Sequence, residues 1–160
     1  METLPKIKLE DIHNSNNARN FLGIFVHKYD EIVHNAASDG IALFLTESQD
    51  TLLVFCFFDK LISNDGFMGL IQRGYGGYIF TNNFAKIIGT WGAERITAIV
   101  NKARVLYEKN RNELKKETKI EVINEFKLLD NEYYDIIDME IEMIKKHIEN
   151  NISKFATVIN

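Results

Sequence analysis

From Ala93 to Asn160 the chain contains neither glycine nor proline, although it carries nine glycines and one proline in all. Relative to Ala, Gly costs a helix interior about 1 kcal/mol and Pro about 3 kcal/mol, so nothing in this tract opposes helix. Ile137, Ile141, Ile144, Ile148 and Ile152 follow one another at intervals of four, three, four and four. That spacing predicts one apolar stripe along one side of a helix. Asp135, Asp138, Glu142, Lys145 and Glu149 form a charged stripe beside it. Val122, Phe126, Leu129 and Tyr133 predict a preceding helix, which either merges with the last one or breaks near Asp130-Asn131.

The earlier part of the chain is punctuated but still helical in period. Ile96, Ile99, Val100, Ala103 and Leu106 supply the buried side of a helix over Gly92 to Lys109. Tyr78 to Ile88 is a shorter helix with Phe80, Phe84, Ile87 and Ile88 inward, and Gly89 and Gly92 mark a helix end and a new start. Thr51 to Ser63 is strand or helix by composition. Leu52, Phe55, Phe58 and Ile62 favour helix there, because strict alternation is absent. Phe21, Leu22, Phe25, Tyr29, Ile32 and Val33 predict another helix, and residues 39–50 fit no pattern. Asp65-Gly66 and Gly74-Tyr75-Gly76-Gly77 read as turns. No Ser-, Gly- or Pro-rich spacer divides the 160 residues. The expectation is an all-α protein: a single compact multi-helix domain over 1–160, with about six to eight helices.

Composition narrows the function. One cysteine, Cys56, excludes a disulfide within the chain. A net charge of -4 disfavours direct nucleic-acid binding, which wants a basic footprint. No apolar run follows the first basic residues, and Leu52 to Phe58 is too short to span a bilayer. A cytoplasmic protein without a membrane partner is expected.

Catalytic signatures are sparse. No GxSxG, GxxxxGK[ST] or HExxH motif occurs. His27, Glu31 and His34 share a helix face, but an exposed His-Glu pair explains them better than a metal. Cys56 lies in the most apolar run and reads as a core thiol. No catalytic residue, metal or cofactor is assigned.

Charge patterning is more informative. Residues 102–119 hold Lys102, Arg104, Lys109, Arg111, Lys115, Lys116 and Lys119 against three glutamates. Residues 130–142 hold Asp130, Glu132, Asp135, Asp138, Glu140 and Glu142 with no basic residue. A helix edge of carboxylates can imitate part of a phosphate row, since residues at i and i+4 rise about 6 Å apart and phosphates recur every ~3.4 Å along a strand. The plain alternative is a solvated helix face, or a face neutralised by the basic segment.

Further motifs add a resemblance. Asn64-Asp65-Gly66-Phe67 is followed by Ile88-Gly89-Thr90, Ile96 to Ala103 and Leu129-Asp130-Asn131-Glu132-Tyr133-Tyr134. Over roughly residues 50–155 this order is similar to the bacterial DNA-mimic-protein family, with residues 1–50 a variable helical part. Asp65 stands where the hallmark has Gly, Gly69 where it has Gln, Leu70 and Ile71 where it has aromatics, and Thr90 where it has Ala. Asn64 and Gly66 read as helix punctuation and Phe67 as a core plug. The resemblance implies an all-α fold, no known catalytic activity, a capacity to form a homodimer and, for some relatives, an acidic surface that occupies a DNA-binding protein.

The leading expectation is therefore a protein-interaction module that meets another protein, such as a DNA-binding regulator, through Asp130, Glu132, Asp135, Asp138, Glu140 and Glu142. An alternative is an enzyme or small-ligand binder with a pocket near Asn64, Phe67, Tyr75, Tyr78 and Trp91. An immunity-type protein that neutralises a toxin would differ from the first only in its partner.

Overall fold

A computed structural model of the chain describes residues 4–41, 45–114 and 117–160. Lys115 and Lys116 of the basic segment lie outside them. The described elements run β1 (Lys6–Lys8), α1 (Leu9–His13), α2 (Ala18–Ser38), α3 (Glu47–Gln72), α4 (Gly76–Thr81), α5 (Phe84–Thr90), α6 (Glu94–Lys109), α7 (Ile120–Asn150), a 3-10 turn (Ile152–Lys154) and β2 (Thr157–Ile159). The fold is all-α, with seven helices among the described residues. None of them is long and apolar enough to cross a membrane.

α7 is one unbroken helix of 31 residues, so the two helical patterns on either side of Asp130-Asn131 merge. The tract without Gly or Pro removes every local reason to stop. Its buried side carries Val122, Phe126, Leu129, Tyr133, Ile137, Ile141, Ile144 and Ile148. α7 packs against α6, α3 and α2 and is the element around which the others are arranged.

α3 begins with a reciprocal cap. The Gln49 backbone N–H donates to Thr46 Oγ1, and the Thr46 N–H donates to Gln49 Oε1. Both orphan donors are thereby satisfied. The helix then runs past the Thr51–Ser63 segment to Gln72, bending at Gly66, whose φ of 68° lies in the left-handed region that glycine tolerates. The Asp65-Gly66 turn signal thus marks a kink inside a longer helix. Tyr78–Ile88, expected as one helix, is two: Asn82 is extended and its side chain accepts from the Phe84 N–H at 2.9 Å, opening α5 afresh. At the end of α5, Gly92 takes φ 110° and the Ala93 N–H returns to the Ile88 carbonyl, as the Gly89/Gly92 spacing predicts.

Aromatic rings cluster at two places in the core. Phe58 has Phe67, Phe84 and Tyr133 around it, at ring-centroid distances of 5.9, 5.2 and 5.5 Å. A second cluster joins Phe155 to Phe25 and Trp91. β1 and β2 pair in parallel, Ile7 opposite Val158. No strand was expected; three residues are too few to show alternation. The pair ties the two ends of the described chain together, with Ile7 buried beneath it.

Candidate functional site: the two faces of the long helix

The six carboxylates between 130 and 142 do not form one ridge. At 100° per residue, Asp130 falls seven residues before Ile137 and Glu140 three residues after it. Both therefore belong to the buried side of α7. Asp135, Asp138 and Glu142 cluster on the opposite side, and Glu132 lies at its margin.

Asp130 accepts a hydrogen bond from the Phe67 N–H at 2.9 Å. Gly66 breaks the α3 ladder, and the first amide beyond the break needs an acceptor. Asp130 supplies one from 63 residues away. A side chain at Gly66 would run into this carboxylate. Burial holds the Asp130 pKa above the usual carboxylate range, with the Phe67 N–H and Lys127 pulling the other way. Phe67 itself is fully buried, so the core-plug reading of Phe67 and the punctuation reading of Gly66 describe the structure. Asn64 is exposed.

Glu140 is only 6% exposed. Its Oε1 accepts from the Arg95 and Ile96 N–H groups at 2.6 and 3.1 Å. α6 starts after Ala93, which cannot cap it, and a carboxylate from α7 fills that place beside the positive end of the helix. Gly89 serves packing at the same junction: a Cβ there would strike Thr97, whose hydroxyl donates to the Ala85 carbonyl. The expectation that Asp130 and Glu140 stand on the outward ridge is thus corrected. The helix period turns each inward, and there each meets backbone amides that have no local acceptor.

The remaining four face solvent. Glu132 meets Lys102 at 3.2 Å, the one ion pair that joins the basic segment to the acidic one among the described residues. Asp138, 90% exposed, has Arg19 Nη1 at 3.8 Å. Among the described residues Asp135 and Glu142 make no ion pair. Shallow hollows flank this face. One of about 280 Å³ has Arg19, Asp138 and Glu142 on its walls, the other, of about 310 Å³, has Arg95, Lys102, Glu132 and Asp135.

Arg19 has a second role that no local pattern announces. Its guanidinium donates to both oxygens of buried Asp59, at 2.9 and 3.2 Å, and the Tyr133 hydroxyl donates to the same carboxylate at 2.7 Å. Asp59 raises the Arg19 pKa, chiefly through this hydrogen bond. Burial drives the Tyr133 hydroxyl well above its ordinary value. Asp59 is legible only as the charge that closes the apolar run, and nothing in the spacing points to a partner 40 residues earlier.

The expected pocket near Asn64, Phe67, Tyr75, Tyr78 and Trp91 does not assemble. Phe67 is core, and Trp91 stacks on His147 at 4.8 Å. Tyr75 and Tyr78 instead border an apolar groove of about 760 Å³ between α2 and α3, with Val26, Leu53 and Phe57 in its wall. Cys56 is there too, its thiol pKa pushed up by burial and by Asp59, which disfavours the thiolate that nucleophilic chemistry needs. His27 lies 3.3 Å from Glu31, an exposed pair that also takes Lys28, and no group of metal-holding side chains gathers among the described residues.

Residues 44–151 match the model of the family described as DMP19-like protein. Over 124 residues the chain is 30% identical to "DNA mimic protein DMP19" of Neisseria meningitidis serogroup B, covering 71% of this chain and 74% of that protein.

Proposed function

The chain belongs to the DMP19-like family, and from that premise we propose that it is a protein-interaction module of DNA-mimic type, offering the outward carboxylates of α7 to the cationic surface of a DNA-binding protein. The observation that carries this reading is the separation of roles on α7. Asp130 and Glu140 are consumed in capping, whereas Asp135 and Glu142 stand exposed without ion pairs among the described residues, on a helix held rigid by its opposite side. From Asp135 to Glu142 the helix rises about 10 Å, close to three phosphate steps of ~3.4 Å along a DNA strand. A partner groove that accepts phosphates meets complementary potential here, and association is fast and salt-sensitive. Arg19 and Lys102 trim the negative field at its two margins and leave the centre of the ridge uncovered.

The test starts from proteins of the native host retained on a duplex-DNA matrix. The purified chain should release one or a few of them at low salt. The triple variant Asp135→Lys, Asp138→Lys, Glu142→Lys should release none. Equal release by this variant, or no release by the unaltered chain, contradicts the reading.

A further inference from the structure

The outward side of α7 is not purely acidic. Met139 is 66% exposed and Met143 45% exposed. Met139 lies four residues after Asp135 and three before Glu142, and Met143 four beyond it. Ile136, half-buried, is three residues before Met139, and Leu128, also exposed, stands on the same strip further back. An apolar strip therefore runs alongside the carboxylates on one helix face, its inner edge seated on the protein at Ile136 and Met143 and its outer edge, Met139, left to solvent. Met143 lies over Gly92 and is held by the α5–α6 corner, while Met139 projects beyond it.

We infer that this composite face docks an amphipathic cationic helix of the partner protein, with Lys or Arg against Asp135, Asp138 and Glu142 and apolar residues against Met139 and Met143. This rests on the ridge reading above and deepens it. A phosphate row has no apolar counterpart, so a surface that only copied charge would gain nothing from thioethers beside it. Unbranched methionines adapt to varied apolar partners, and burying them adds affinity that salt does not screen. A second copy of this chain is the poorer occupant, because pairing this face with itself sets carboxylates against carboxylates.

The probes are two synthetic helical peptides of equal length and equal positive charge. One carries Lys on one face and Leu on the other; the second has Gln in place of every Leu. Binding to the full chain is measured by calorimetry at low and high salt. The Lys/Leu peptide should bind about tenfold tighter, and the gap should persist at high salt. Met139→Gln should narrow the gap, and Met139→Gln with Met143→Gln should close it. The first variant alters a side chain that projects into solvent and keeps the test valid if the second disturbs the α5–α6 corner. Asp135→Asn, Asp138→Asn, Glu142→Gln should weaken both peptides at low salt and leave the gap. If the methionine variants act and the carboxylate variants do not, the ridge reading falls and takes the cationic occupant with it, leaving only an apolar contact at Met139. Equal affinity for the two peptides, or a gap indifferent to both methionine variants, overturns the inference. So does sedimentation showing a dimer that Met139→Gln dissolves.

Discussion

Asp130 and Glu140 face one side of α7, and Asp135, Asp138 and Glu142 face the other, within 13 residues of sequence. The inward pair stands against bare backbone amides: Phe67 after the Gly66 bend, and Arg95 and Ile96 at the head of α6. The outward three stand against water and, for Asp138, one arginine. Identical chemistry thus serves folding on one side and, in the proposed function, recognition on the other. The difference is set by where the Ile stripe turns, so a count of acidic residues overstates the surface that a partner meets.

Truncating an inward carboxylate is the strongest way to break that contrast. Glu140→Ala leaves two amides of α6 without their acceptor and should cost about 3 kcal/mol, since charged caps lie at the upper end of such losses. Thermal or urea unfolding checks it. Asp130→Ala orphans one amide and should cost about 2 kcal/mol. Asp130→Asn keeps an oxygen for Phe67 and removes the burden of a half-buried charge, so it should lose far less. The two Asp130 variants also divide with pH. Burial raises the native Asp130 pKa, so the native state holds this proton more tightly than the unfolded chain does. The unaltered protein should therefore gain stability relative to Asp130→Asn as pH falls through the raised native value toward the ordinary carboxylate range. That advantage disappears as pH rises back through the native value.

Gly66→Ala sharpens the same side of the comparison. It forces a side chain into a left-handed position and against the Asp130 carboxylate. The expected cost exceeds about 1 kcal/mol, and it should shrink when Asp130 is already Ala, because the two changes share one contact. The smallest effect belongs to the outward side. Asp135→Asn, Asp138→Asn, Glu142→Gln should move the unfolding free energy by no more than about 0.5 kcal/mol.

Much of this division was open to sequence arithmetic. The Ile stripe and the absence of Gly and Pro from Ala93 onward give α7, and the same stripe places Asp130 at seven residues and Glu140 at three from Ile137. Charge read as a linear block hides that placement; charge read on the helix wheel shows it. Gly66 was visible as a punctuation mark, but the identity of its distant acceptor was not, because a cap supplied from 63 residues away has no local signature. The same holds for Arg19, Asp59 and Tyr133, which three separate helices bring together. The β1–β2 pair was illegible for a different reason: with three residues each, its pairing is decided by tertiary proximity and not by pattern.

The central claim is that the inward carboxylates of α7 hold the fold while the outward ones bind. It is tested most directly by measuring unfolding free energy and the salt dependence of partner association for two variants side by side, Asp130→Ala with Glu140→Ala, which removes the acceptors of the Phe67, Arg95 and Ile96 amides, and Asp135→Asn with Asp138→Asn and Glu142→Gln. The account predicts that the inward variant loses stability and, where still folded, keeps the wild-type salt slope, and that the outward variant keeps its stability and loses that slope. An outward variant that unfolds as readily as the inward one, or that binds with an unchanged slope, would contradict it.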